Sequence, residues 1–310
     1  MNDRRLLETL SDRELRTALS RGHLQMHLGA VTCSVHIKRR EILPFLQHHY
    51  GHARVRTGDD IVHFNLQLDA PSLLRRFIRP QIMPLYTGFK NILPLSTALT
   101  PLAFEMGMNL HVALGTARHL LLHAGVVADT SGRAIIMPAT SGGGKSTLTA
   151  LLMQRGYRLL SDEFGIMDLK SGSFHAFNRP VSLKNESIKL IRDLVGQDEL
   201  GPVYRDTPKG DVAFLRPRPS DFESRTLPAL GKVIVYPSFD PNAPKGGALE
   251  DVKASDSMLR LISGSTNYKM TAEAGFKRLT KLVSRVPSYS IRYASAEDSL
   301  KLLEKIGIAL

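Results

Sequence analysis

The chain of 310 residues carries 41 Lys and Arg against 29 Asp and Glu, a formal net charge of +12, with 43% apolar and 23% charged residues. That balance supports a full globular core in one or two domains and excludes a fibre, a coiled coil or a disordered tail. The single cysteine, Cys33, excludes a disulfide scaffold, lacks the partner spacing of a structural zinc site and suits a reducing compartment.

The first apolar run, two leucines between Arg5 and Glu8, is too short for a signal peptide, so a cytoplasmic location is expected. The longest uncharged apolar stretch, residues 91–104, contains Pro94 and Pro101 and stops at Glu105, short of the roughly 20 residues that cross a bilayer. No membrane span is expected. Basic residues are scattered, Trp is absent and aromatics make up 6%, so no specific nucleic-acid partner is expected either.

Ser11 and Glu14 have the spacing of a capping box, Leu15 and Leu19 share a helical face, and Gly22 is a stop. Leu24, Met26 and Leu28, then Val31, Cys33, Val35 and Ile37, alternate as strands about Gly29, which points Cys33 inward as a buried structural thiol. Residues 41–50 predict a short helix ended by Gly51, and Val62, Phe64, Leu66 and Leu68 a half-buried strand. His27, His36, His48, His49 and His63 are dispersed and read as surface or strand-face residues. Residues 71–101, with prolines and Arg75, Arg76 and Arg79, read either as a substrate-facing loop or as a solvated connector. A helix is predicted over residues 110–123, leading into a strand around Val126 and Val127, then a turn at 129–132 and a strand at 133–137. The domain boundary is placed at 110/111.

An apolar strand, the run Thr140-Ser-Gly-Gly-Gly-Lys-Ser-Thr147 and a helix carrying Leu148, Leu151 and Leu152 form the context of a phosphate-binding loop. Ser141, Gly142, Gly143 and Gly144 let backbone N–H groups face a phosphate, and the helix start adds its positive dipole end. Lys145 bridges β- and γ-phosphates in this reading, Ser146 ligates Mg²⁺, and Thr147 is a further candidate for an α-phosphate contact. The first glycine of the usual pattern is Ala139 here. Residues 157–161 then predict a strand ending in Asp162 and Glu163, so soon after Lys145 that only one helix and one strand fit between them. This places both acids beside the loop strand, at the carboxyl end of an adjoining one. One acts on Mg²⁺ and the other accepts the proton of an attacking hydroxyl. The spacing, and the absence of a Leu-Ser-Gly-Gly-Gln or an Asn-Lys-x-Asp run, point away from transport ATPases and GTPases and toward a compact phosphotransferase.

His123-Ala-Gly-Val-Val, Ser141-Gly-Gly-Gly-Lys-Ser and Arg155-Gly-Tyr-Arg-Leu-Leu-Ser-Asp-Glu together resemble the catalytic core of HPr kinase/phosphorylase, whose fold is similar to that of phosphoenolpyruvate carboxykinase. The chain is most similar to the HPr kinase-related kinase A group, associated with exosortase/PEP-CTERM clusters, and the likeness extends to residues 94–96, 105–109 and 179–185. The resemblance implies an α/β P-loop kinase domain over 111–310 and a smaller N-terminal α/β accessory domain over 1–110. It implies ATP and Mg²⁺ as cofactors, His123 near the phosphates, Asp162 as general base and Glu163 beside the metal. The parent family has Asp where this chain has Glu163, which leaves the division between the two acids open. It also implies a hydroxyl acceptor, Ser of a protein or peptide or a small molecule, and a homo-oligomer. The family's Glu-Ile-Arg-Gly-Leu-Gly run is absent, which argues against HPr itself as substrate.

Arg179, Lys184 and Asn185 form a polar cluster that either supplies positive charge to the transferred phosphoryl group or faces water. Residues 202–219 read as a loop over the site. Val233 and Val235 (strand), 276–283 (helix), 291–293 (strand) and a last helix from Ser295 complete the pattern. The reading from another class is a nucleotide-binding scaffold with little turnover.

Overall fold

A computed structural model describes residues 5–87, 92–138 and 142–310. The chain opens with strand β1 (Arg5–Leu6) and helix α1 (Asp12–Arg21), which starts at the expected capping box and ends at a left-handed Gly22. Glu14 Oε2 accepts from Ser11 N at 2.8 Å and Glu14 N donates back to Ser11 Oγ at 3.3 Å. Strands β2 (Leu24–His27) and β3 (Thr32–Ile37), helix α2 (Leu43–Tyr50), and strands β4 (Arg54–Thr57), β5 (Phe64–Asp69), β6 (Gln81–Leu85) and β7 (Leu95–Ser96) follow. They form a seven-stranded mixed sheet in the order β1-β4-β2-β3-β5-β6-β7. Burial alternates along β3 as the sequence pattern requires, and the Cys33 thiol, fully buried, is pushed up to about 12 by loss of hydration.

His49 departs from expectation. It lies on α2, only 1% exposed, with Nε2 2.9 Å from the Phe214 carbonyl and 3.3 Å from that of Leu200. Burial first, then the neighbouring His48, lowers its pKa to about 4. The folded protein therefore resists protonation of a group that titrates near 6.5 when unfolded, so this part of the stability is complete above pH 6.5 and is lost as pH falls toward 4. The loss amounts to on the order of 3 kcal/mol over that window. Denaturant titrations at successive pH values are expected to show that slope in the wild type and a flatter one in His49→Gln.

Helix α3 (Thr100–Gly115) begins ten residues earlier than predicted, because Pro101 sits in its first turn, where the missing N–H donor costs nothing. The expected boundary at 110/111 falls inside α3, and the hydrophobic cluster around Phe45, Tyr50 and Phe104 continues into Phe177, Phe214 and Phe222.

Strands β8 (His119–Ala128) and β9 (Arg133–Pro138) form a hairpin about the predicted turn, where Gly132 N donates to Asp129 O at 3.1 Å. Helix α4 (Lys145–Gln154) returns the chain to β10 (Arg158–Ser161) and β11 (Phe164–Asp168), followed by β12 (Phe174–His175), β13 (Val181–Lys184), α5 (Glu186–Val195) and α6 (Gln197–Leu200). The predicted loop over 202–219 instead contains the hairpin β14 (Tyr204–Thr207) and β15 (Gly210–Leu215), which pairs with β13 in a three-stranded sheet. Helix α7 (Pro219–Glu223), strands β16 (Leu230–Phe239) and β17 (Ala248–Asp251), helices α8 (Ala254–Ser263) and α9 (Tyr268–Val283), strand β18 (Ser288–Tyr293) and helix α10 (Ala296–Lys305) complete the chain. Ser295 caps α10 by accepting from Asp298 N at 3.1 Å.

The second large sheet, eight-stranded and mixed, runs β12-β11-β8-β9-β16-β18-β17, with β10 also on β8. Strands β9, β16 and β18 are parallel, whereas β10 and β11 are antiparallel to β8. The sequence reading set β10 beside the loop strand; the structure corrects this. Both edges of β9 are already taken, by β8 through the tight hairpin and by β16, so β10 must pair with β8. As expected, β10 ends at the acids, and after a bend at Asp162 and Glu163 the chain rejoins β8 as β11. The protein is thus mixed α/β with several mixed sheets, and among the described residues no helix is long and apolar enough to cross a membrane.

Candidate functional site

The glycine loop joins the end of β9 to the N-terminus of α4, and its start, with Ser141 and Ala139, lies outside the described residues. Gly142 and Gly144 have φ of 88° and 87°, a backbone region that other residues enter only with strain. At Gly144 space is closed as well: a Cβ there would sit 2.4 Å from Tyr293 Oη. Gly144→Ala is therefore expected to cost about 1–3 kcal/mol in thermal or denaturant unfolding, from backbone strain and the clash together. Gly142 is exposed, and Gly143 and the side chains of Ser146 and Thr147 are partly buried at the start of α4.

Helix α4 lies close against β8 because Gly125 has no side chain. A Cβ at Gly125 would sit 2.5 Å from Thr149 Oγ1 and 3.2 Å from Lys145 Cγ. The stem of Lys145 is thus laid along β8 toward His123, and Lys145 is only 7% exposed. Lys145 Nζ lies 3.2 Å from His123 Nε2. An ammonium only donates, so Nε2 is the acceptor and the ring proton is on Nδ1, which faces Glu163 Oε1 at 3.8 Å. Glu163 Oε2 is 4.0 Å from Lys145 Nζ. Burial and then Lys145 lower the pKa of His123, favouring the neutral ring. Burial opposes ionisation of Glu163, but Lys145, His123, Arg179 and Lys209 outweigh it and hold its carboxyl below the usual range.

Asp162 is placed differently. It is 6% exposed, and its Oδ2 accepts from Ser146 Oγ at 2.8 Å and from Ser182 N at 3.2 Å. Among the described residues its Oδ1 is buried without a hydrogen-bond partner. Burial raises its pKa against the opposing pull of Lys145. A buried carboxylate oxygen left open beside a hydroxyl, at the mouth of a glycine loop, matches the donor set a hard cation takes, oxygen ligands with the remainder supplied by phosphate and water. Among the described residues no group of three His, Cys, Asp or Glu side chains could hold a metal unaided. Asp162 and Ser146 would therefore supply only part of a cation's ligand set, and the α4 N-terminus beside them is suited to an anion.

Arg179 is brought to the same cleft but is already engaged. Its Nη1 donates to Glu105 Oε2 at 3.2 Å and to the Glu105 carbonyl at 3.3 Å, its Nη2 donates to Asn109 Oδ1 at 2.5 Å, and the guanidinium lies 4.5 Å over the Phe177 ring. Tyr50 Oη donates to the other Glu105 oxygen at 2.5 Å. Helix α3 thereby contributes Glu105 and Asn109 to the wall of a cleft that is also lined by Asp162, Glu163, Lys184 and Lys209. Asn185 does not join it; its Oδ1 accepts from Asp211 N at 3.2 Å on the β13–β15 side.

Glu105, Asn109, Ser182 and Gly125 are residues that sequence reasoning did not assign to the site, whereas Lys209 lies on the segment it read as a loop over it. A glycine inside a strand pattern was the available signal for Gly125, since it marks a close backbone approach. No such signal existed for Ser182, which acts through its backbone. No protein-family model matches the chain, and a search of curated proteins finds no match.

Proposed function

We propose that the protein is an ATP- and Mg²⁺-dependent phosphotransferase of the HPr kinase-related type, with a P-loop kinase core and a hydroxyl acceptor, Ser of a protein or peptide. The observation that carries this reading is the Ser146–Asp162 hydrogen bond at 2.8 Å at the start of the helix behind the glycine loop, with Asp162 Oδ1 buried and open.

Residues 142–144 and the first N–H groups of α4 would hold the polyphosphate, with Lys145 beside it. Ser146, Asp162 and Glu163 would hold the cation. Bound Mg-ATP supplies the phosphoryl donor and neutralises charge as it is transferred. The chain's own part is positional and protolytic. Lys145 lies between His123 and Glu163, and neutral His123 fixes its Nζ by accepting from it. Asp162 takes the proton of the acceptor hydroxyl, which enters along the cleft walled by α3 and the β14–β15 hairpin. Arg179, paired with Glu105, holds α3 against this cleft and still lends positive potential at Glu163.

Titration calorimetry of the full chain with ATP and Mg²⁺ tests the binding half of this reading. Saturable binding that disappears in Lys145→Ala is expected. A protein that ignores nucleoside triphosphates with magnesium present would overturn it. Transfer of label from γ-labelled ATP to a panel of protein, peptide and small-molecule acceptors separates an enzyme from a scaffold that binds but does not turn over.

A further inference from the structure

The connection from β5 to β6 carries the sequence Ser-Leu-Leu-Arg-Arg-Phe-Ile-Arg-Pro over residues 72–80. Its large apolar side chains are outside: Leu73 is 72% exposed, Leu74 62%, Phe77 79% and Ile78 58%. Single exposed apolar residues are common on protein surfaces, but four within six positions make a contiguous patch, and such patches mark interaction sites. The backbone holds them there through a 3₁₀ turn at Leu74–Arg76, with Ile78 N donating to Leu74 O at 2.9 Å.

Positive charge surrounds this patch. Strands β3 and β5 are parallel and end together, with Ile37 opposite Leu68, so residues 38–40, Lys-Arg-Arg, emerge beside the connection. Arg39 Nη2 donates to the Arg76 carbonyl at 3.1 Å, which ties the two segments together. Of the cations here Arg76 is paired, with Asp69 Oδ2 at 2.7 Å, and Glu41 is the other acid in these segments. Arg39, Arg75 and Arg79 have no ion pair among the described residues.

We propose that residues 72–80 dock this protein on an anionic lipid surface. Leu73, Leu74, Phe77 and Ile78 enter the boundary between headgroups and acyl chains, and Arg39, Arg75 and Arg79 meet lipid phosphates. Apolar and cationic side chains alternate over a few residues. A fluid headgroup layer accepts that alternation, because the arginines reach outward to phosphate while their stems stay in the apolar boundary. A protein groove would have to strip water from each guanidinium in turn. A nucleic acid would meet a patch that is three-quarters aliphatic, with little to stack on. The charge sign selects anionic over zwitterionic lipid. The inference is independent of the phosphotransferase reading, since none of these residues lines that site.

Cosedimentation of the full chain with vesicles of phosphatidylcholine, with and without phosphatidylglycerol, tests it. Binding is expected to the phosphatidylglycerol vesicles alone and to weaken as salt is raised. Phe77→Ser and Leu74→Ser should each weaken it about tenfold. Arg75→Gln and Arg79→Gln should each weaken it about fivefold. Leu74, Phe77 and Arg79 are exposed and Arg75 is only partly buried, so melting temperatures should match the wild type. Absence of vesicle binding, equal binding to pure phosphatidylcholine, or binding indifferent to Phe77→Ser would each overturn the proposal. The same holds if Phe77→Ser is without effect while the arginine variants lose vesicles and RNA alike, which would make the patch a general polyanion site.

Discussion

Asp162→Asn is expected to reduce phosphoryl transfer about 10²–10⁴-fold, the range associated with a positioned general base, while nucleotide binding survives. The substitution is nearly isosteric. An amide oxygen at the Oδ2 position still accepts from Ser146 Oγ and from Ser182 N, the contacts that locate the side chain. What is lost is the buried, unpartnered basic oxygen and one negative charge, so any residual metal affinity then rests on Glu163 and Ser146. Rates with γ-labelled ATP, compared with calorimetric ATP affinity, check the split. A variant with wild-type turnover would remove Asp162 from the chemistry, and one that no longer binds ATP would make it purely a ligand residue. Glu163→Gln serves as the contrast: it removes the acid nearest Lys145 and His123 but leaves the Ser146–Asp162 pair intact.

The second large effect is on stability. Glu105 and Arg179 are each 6% exposed, and burial raises the Glu105 carboxyl even with the guanidinium against it. Loss of hydration thus outweighs mutual attraction in this pair, which makes it costly to break and cheap to replace. Glu105→Ala leaves Arg179 buried with Asn109 as its remaining side-chain partner and is expected to cost about 3–5 kcal/mol in denaturant unfolding. Arg179→Met alone leaves the Glu105 carboxylate with Tyr50 as its one side-chain partner among the described residues and is expected to cost a similar amount. The double replacement Glu105→Leu with Arg179→Met should recover most of the loss, and a double-mutant cycle built with the single Glu105→Leu and Arg179→Met variants would give the coupling directly. Additive losses would mean that the two side chains act separately. Because the pair joins α3 to the segment before β13, its rupture is also expected to lower activity by loosening the cleft wall.

Much of the local structure was legible in the chain itself. Ser11 and Glu14, the turn at 129–132 and the glycine loop ahead of α4 are signals contained within a few residues, where capping bonds, positive φ and the needs of a helix start operate at short range. Alternation likewise predicted β3 and the inward Cys33, since side-chain direction along a strand has period two. The same rules misplace the start of α3, because Pro101 reads as punctuation in sequence and yet fits a first helical turn.

Partner choice was set elsewhere. Which strand lies beside β9 depends on which edges remain open once the β8–β9 hairpin and the parallel β16 have formed, a competition between segments nearly a hundred residues apart. Arg179 was legible as a cation near the site but not as the partner of Glu105, and His49 as a dispersed histidine but not as one buried against Phe214. Sequence by itself determined the loop, the helix behind it and the neighbouring acids, because these are consecutive and their chemistry is local. Only the tertiary structure decided which charges are neutralised, which carboxylate oxygen is left open and which apolar residues stay outside, because burial is a property of everything that packs around a residue.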